Sequence, residues 1–199
     1  MLTTYTLMSN LGAAIGIPLI FPLFTNSIDG SFLEQFATLS LKIFPVIILP
    51  LLLAFIVRAC FKKVHAFIVT TLKDLGFYLW GFTLMVVSAR TFANIANSSE
   101  STLYLWALAG VGLACAAVQF SLGKLIGQQQ HQRISAGQAL GQKNMVFGLW
   151  IALTYLSPAA AIAPGTYILW QNFINAWQMW YREHKLTLWQ AQGVVPYQE

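Results

Sequence analysis

The chain has 199 residues, 57% hydrophobic and only 9% charged, with a net charge of +5 and a mean hydropathy of +0.64. Soluble domains carry about 25% charged residues, so a water-facing globule is excluded and an all-α integral membrane protein is expected. With no long basic run or basic–aromatic stripe, the positive balance belongs to membrane topology and not to nucleic acid.

A membrane span needs about 20 mainly apolar residues. Six segments qualify: residues 5–24, 40–60, 66–89, 103–122, 134–156 and 159–181, followed by a tail over 182–199. They make a single membrane domain. The N-terminus lacks the basic region of a cleavable signal peptide. In the first segment Thr6, Ser9 and Asn10 cluster, and Gly12-x-x-x-Gly16 permits close helix approach. A polar stretch over 25–35 precedes the second segment, which ends near Arg58 and Cys60. Cys60 and Cys115 fit no metal or disulfide spacing and read as small packed hydrophobes. In the third segment Lys73 adjoins Asp74 near one membrane face, where a lysine snorkels to the headgroups. Asn97-Ser98-Ser99 is a sequon in the next connector, and QQQHQR fills the one after the fourth segment.

Orientation follows from lysine and arginine in the connectors. With the N-terminus inside, Arg58, Lys62, Lys63, Lys124, Arg133, Arg182 and Lys185 are internal, against Arg90 and Lys42 outside. Both termini are therefore expected in the cytoplasm, with the protein in the cell inner (plasma) membrane. No triad, paired carboxylates, phosphate-binding loop or metal-ligand cluster is visible. No enzyme activity and no cofactor are expected, and the bilayer is the first partner.

The fifth segment is the unusual one. SAGQALGQKN crowds Gly137, Gln138, Gly141, Gln142, Lys143 and Asn144 ahead of an ordinary apolar run. Residues 145–156 alone span about 18 Å, too short for a core of about 30 Å. The polar decapeptide is therefore expected at membrane depth as a discontinuous helix. Its glutamines and asparagine would service freed backbone, as in transporter binding sites. In the sixth segment Gln171, Asn175 and Gln178 share a face. Such polar positions serve either as helix–helix contacts, at about 1 kcal/mol each, or as the lining of a solute path. A non-transporting membrane subunit or scaffold is therefore the alternative to a transporter.

These patches resemble the bile acid:sodium symporter family. The Ala139–Asn144 region is similar to its broken E-x-G-x-Q-N motif, and LWQNFINAW to its last helix. TYTLMSNLGAAIGIPLIFP, with Pro18 and Pro22, resembles its fifth helix, and IFPVIILPLLLAFIVR the next. The resemblance implies the C-terminal half of an inverted-repeat transporter, the counterpart of helices five to ten. It implies alternating access between a panel (segments two and three) and a core (segments one, four, five and six), carrying a small organic anion. It also implies a chain that is a fragment or truncation, or one whose missing N-terminal half lies on another chain or in a homodimer. The implied substrate or ion site comprises Thr6, Asn10, Gln138, Gln142, Lys143, Asn144, Gln171 and Asn175. Ala139 and Lys143 stand where the family has sodium ligands. Unit charges at about 4 Å and an effective dielectric of about 20 interact by about 4 kcal/mol, so Lys143 is expected to replace the ion. Coupling to sodium or protons is left open.

Overall fold

The computed structural model describes residues 2–25 and 30–191. Among them are eight helices: α1 (Leu2–Phe24), α2 (Phe32–Cys60), α3 (Lys62–Thr71), α4 (Leu75–Ala96), α5 (Thr102–Gln128), α6 (Arg133–Gly141), α7 (Met145–Tyr155) and α8 (Ile162–Ala191). No strand occurs among the described residues. The protein is an all-α membrane protein. Among the described residues four stretches are long and apolar enough to cross a bilayer, Leu7–Phe24 and the whole of α2, α4 and α5; the segments expected over 134–156 and 159–181 are not among them. The described residues divide into two compact units, one up to Leu84 and one from Met85.

In the first unit, α2 begins well before the expected residue 40. Ser31 precedes its first turn, and the Glu34 carboxylate accepts from the Ser31 amide at 2.6 Å and from its hydroxyl at 3.0 Å. This is a capping box, which satisfies the amide groups a helix start leaves open. Gln35 Nε2 donates back to Gly30 O at 3.1 Å, and Gly30 supplies the positive φ of +113° that turns the chain into the helix. Helix α1 packs against α2, with Ala14, Leu39 and Ile43 fully buried. Among the described residues the Gly12-x-x-x-Gly16 spacing makes no close contact, since a Cβ at either glycine would meet nothing within 4 Å.

The segment expected over 66–89 is not one helix. It divides into α3 and α4 around Leu72, Lys73 and Asp74, where Leu75 N–H donates to Leu72 O at 3.0 Å and Phe77 N–H to Asp74 O at 3.1 Å. Lys73 and Asp74 thus occupy an exposed turn between helices, outside the apolar span that starts at Leu75.

The second unit is built on α5, against which α6 and α8 both pack. Ser101 caps α5, its hydroxyl accepting from Tyr104 N–H at 3.3 Å. Small residues bring α8 close. A Cβ at Gly112 of α5 would lie 2.8 Å from Ala163 O and 2.9 Å from Tyr167 N, while Gly165 lies against the buried Thr91 of α4. Ser157 and Pro158 separate α7 from α8, where Ala160 N–H donates to Ser157 Oγ at 3.1 Å.

Candidate functional site at the broken helix

The turn into α6 is a Schellman motif. Gln132 N–H donates to Gly127 O at 2.9 Å and His131 N–H to Gln128 O at 3.4 Å. His131 holds the left-handed position at φ +54°, a place glycine usually takes. The reversal lays α6 antiparallel on α5 along a line of glycines. A Cβ at Gly123 would sit 2.5 Å from Ala136 O, one at Gly127 2.6 Å from Gln132 O, one at Gly137 2.7 Å from Lys124 Cγ, and one at Gly141 2.5 Å from the Phe120 ring. The Gly137-x-x-x-Gly141 spacing is therefore a helix-packing seam.

Helix α6 stops at Gly141 and α7 starts at Met145. In a continuous helix Lys143 N–H would serve Ala139 O, and Met145 N–H would serve Gly141 O. Instead Lys143 N–H turns to Gly141 O at 3.2 Å and Met145 N–H to Lys143 O at 2.8 Å. Gln142 (φ −87°, ψ 86°) and Asn144 (φ −74°, ψ 68°) are the centres of two successive inverse γ-turns. Lys143 lies between them, half-buried, with Gln142 and Asn144 exposed on either side.

The Gly141 carbonyl at this break is held by a residue the sequence did not single out. Tyr167 of α8 is 1% exposed, and its hydroxyl donates to Gly141 O at 2.6 Å. Gln119 of α5 lies 3.2 Å from the same hydroxyl. The Gln119 atom that faces the phenol is its side-chain oxygen, Oε1. One tyrosine thereby joins α5, α6 and α8 at the broken end.

Of the predicted residues, the structure brings Gln138 to α8, where its Nε2 donates to Gln178 Oε1 at 2.9 Å. The expectation that Gln138 serves freed backbone is corrected: it contacts a neighbouring helix. The other ends of this pair, Gln138 Oε1 and Gln178 Nε2, and also Gln171 Oε1, are buried with no hydrogen-bond partner among the described residues. Asn175 is half-buried on the same helix. Asn172 turns back to its own backbone, donating to Ile168 O at 2.7 Å. Asn10 lies half-buried on α1, in the other unit. Thr6 is also on α1, with its side chain outside the described residues.

Charge around the break is one-sided in sequence. From Ser101 to Tyr181 the chain carries Lys124, Arg133 and Lys143 and no aspartate or glutamate. Among the described residues, no three His, Cys, Asp or Glu side chains group to hold a metal ion. No protein-family model, curated protein or solved structure matches the chain.

Proposed function

We propose that the protein is a secondary transporter of a small organic anion, of bile-acid or organic-acid type, working by alternating access. The observation that carries this is the interrupted α6–α7 segment with Lys143 at its centre. Non-helical backbone at membrane depth is tolerated where it is buried in protein or lines a watery cavity, and transporters place solutes at such breaks. The partnerless atoms of Gln138, Gln171 and Gln178 add to it, since buried polar groups are normally paired. They offer a donor and two acceptors to an entering solute. Lys143 brings a positive charge to the break, and the resemblance to the bile acid:sodium symporter family supports an organic anion as the solute. Ala139 offers no side-chain oxygen and Lys143 carries an ammonium, so uptake is proposed to be independent of sodium. The proposal places the protein in the plasma membrane with both termini cytoplasmic.

The test is uptake of labelled organic acids by the full chain in proteoliposomes. Accumulation without a sodium gradient, reduced at least tenfold by Lys143→Gln, is expected. Uptake that follows a sodium gradient refutes the coupling, and uptake unchanged by Lys143→Gln removes the lysine from the site. A scaffold role is the second proposal, favoured by the Gln138–Gln178 hydrogen bond, which uses two candidate polar positions for helix contact. Absence of binding to any organic acid, together with disassembly of a purified membrane complex on Gln178→Leu, would select it.

A further inference from the structure

Helix α3 and the turn after it connect α2 and α4, each long and apolar enough to cross a membrane. At 10 residues, α3 is about 15 Å long, half of what a crossing requires. A short link between two spans lies at a membrane surface, and the residues of α3 suit that place. Val64, Phe67 and Ile68 follow i, i+3, i+4 spacing and form one apolar face, with exposures of 48%, 54% and 43%. Lys62, Ala66 and Val69 fall on the opposite face by the same spacing, and Lys63 and Thr70 lie on the flank next to Phe67. No residue of α3 is buried in the protein.

Cations continue beyond the helix. Arg58 stands in the last turn of α2 and Lys73 in the turn after α3, with Asp74 the one acidic residue of this stretch. The chain bends at Phe61 (φ −119°, ψ 61°), beside a cleft of ≈ 360 Å³ whose lining includes Phe61, Lys62 and Lys63. An apolar face backed by lysines is the pattern of a helix lying in the plane of an anionic membrane, and basic residues beside spans attract acidic lipids.

We propose that α3 is an interfacial helix that sinks Val64, Phe67 and Ile68 among lipid acyl chains. Lys62, Lys63 and Lys73 then bind the headgroups of anionic phospholipids. The membrane is chosen over a soluble protein partner because both ends of α3 are tethered to membrane helices. The proposal stands apart from transport and is tested without it.

The full chain, with Cys60→Ser and Cys115→Ser, carries one fluorophore at Ile68→Cys or at Ala66→Cys in proteoliposomes. Lipids bearing nitroxides on the acyl chain are expected to quench the Ile68 position at least threefold more than the Ala66 position. Phosphatidylglycerol bearing a headgroup nitroxide is expected to quench the Ala66 position more than the phosphatidylcholine analogue does. Neutralising Lys62→Gln, Lys63→Gln and Lys73→Gln together should lower that preference at least fivefold, about the effect of one lysine near an anionic surface. Acyl-chain quenching equal at both positions, or absent at Ile68 because protein covers it, overturns the interfacial placement. A lipid preference unchanged by the three neutralisations overturns the headgroup role.

Discussion

Tyr167 and His131 act on the same nine-residue helix from opposite ends, and by different physics. The Tyr167 hydroxyl gives the Gly141 carbonyl a donor in surroundings that exclude water. Tyr167→Phe keeps the ring and removes the donor, and is expected to cost about 1–3 kcal/mol. Faster hydrogen exchange at Lys143 and Met145, alongside lower thermal stability in detergent, is the measurement. His131 sits in the left-handed region, where a Cβ costs roughly 1–2 kcal/mol. His131→Gly is therefore expected to raise the melting temperature, provided the turn and not the imidazole is what matters there. Lys143 is a different case. Its backbone forms the break through the two γ-turn hydrogen bonds, so Lys143→Gln is expected to keep those turns while altering anion uptake.

Among the elements, the α5–α6 hairpin depends on side chains that are missing. Gly123→Leu would push a branched chain into Ala136 O and the Gly137 Cα, at 2.5 and 2.9 Å from the first added carbon. Overpacking of this kind typically costs 1–3 kcal/mol or more. The hairpin should open, as lost cross-linking between cysteines placed at Leu122 and Leu140 would report. Much of this level was legible in the sequence. Glycine at 137 and 141 with Lys143 and Asn144 marked the broken segment, because the apolar run that follows them is too short to cross a bilayer alone. Tyr167 was not legible, since one tyrosine in an aromatic-rich segment carries no sign that it faces a carbonyl 26 residues away. The start of α2 was readable from Ser31 and Glu34, a serine and glutamate at capping-box spacing, but the polar character of 25–35 hid it. The division into α3 and α4 was hidden by hydropathy, since Phe67, Ile68 and Val69 look like the beginning of a span. Only the i, i+3, i+4 placement of the apolar residues, with Lys73 and Asp74 at the far end, separates a surface helix from a crossing one.

For the whole molecule, the decisive property is apolar surface with no protein over it. Phe24, Leu41, Trp106 and Met85 are 70–81% exposed, which is costly in water at about 25 cal/mol per Å² and costless among lipid tails. The two cysteines give this a direct check, for both are exposed but at different depths. Cys115 stands thirteen residues beyond Thr102 on α5, about 20 Å along the helix, and should resist a water-soluble maleimide in intact vesicles. Cys60 ends α2 beside Lys62 and Lys63 and should react, from the cytoplasmic side alone if the proposed orientation is right. Equal labelling of the two would contradict the membrane placement of α5.

The hydroxyl that closes the break also has a bearing on how the protein is made. A ribosome completes the α5–α6 hairpin before it reaches Tyr167, so the Gly141 carbonyl is made ahead of the donor that will satisfy it. The broken segment must wait, held by its glycine seam, until the last helix arrives. Docking of α8 is then the step that locks the hairpin, and nascent chains stopped before Tyr167 should be the ones that quality-control proteases remove.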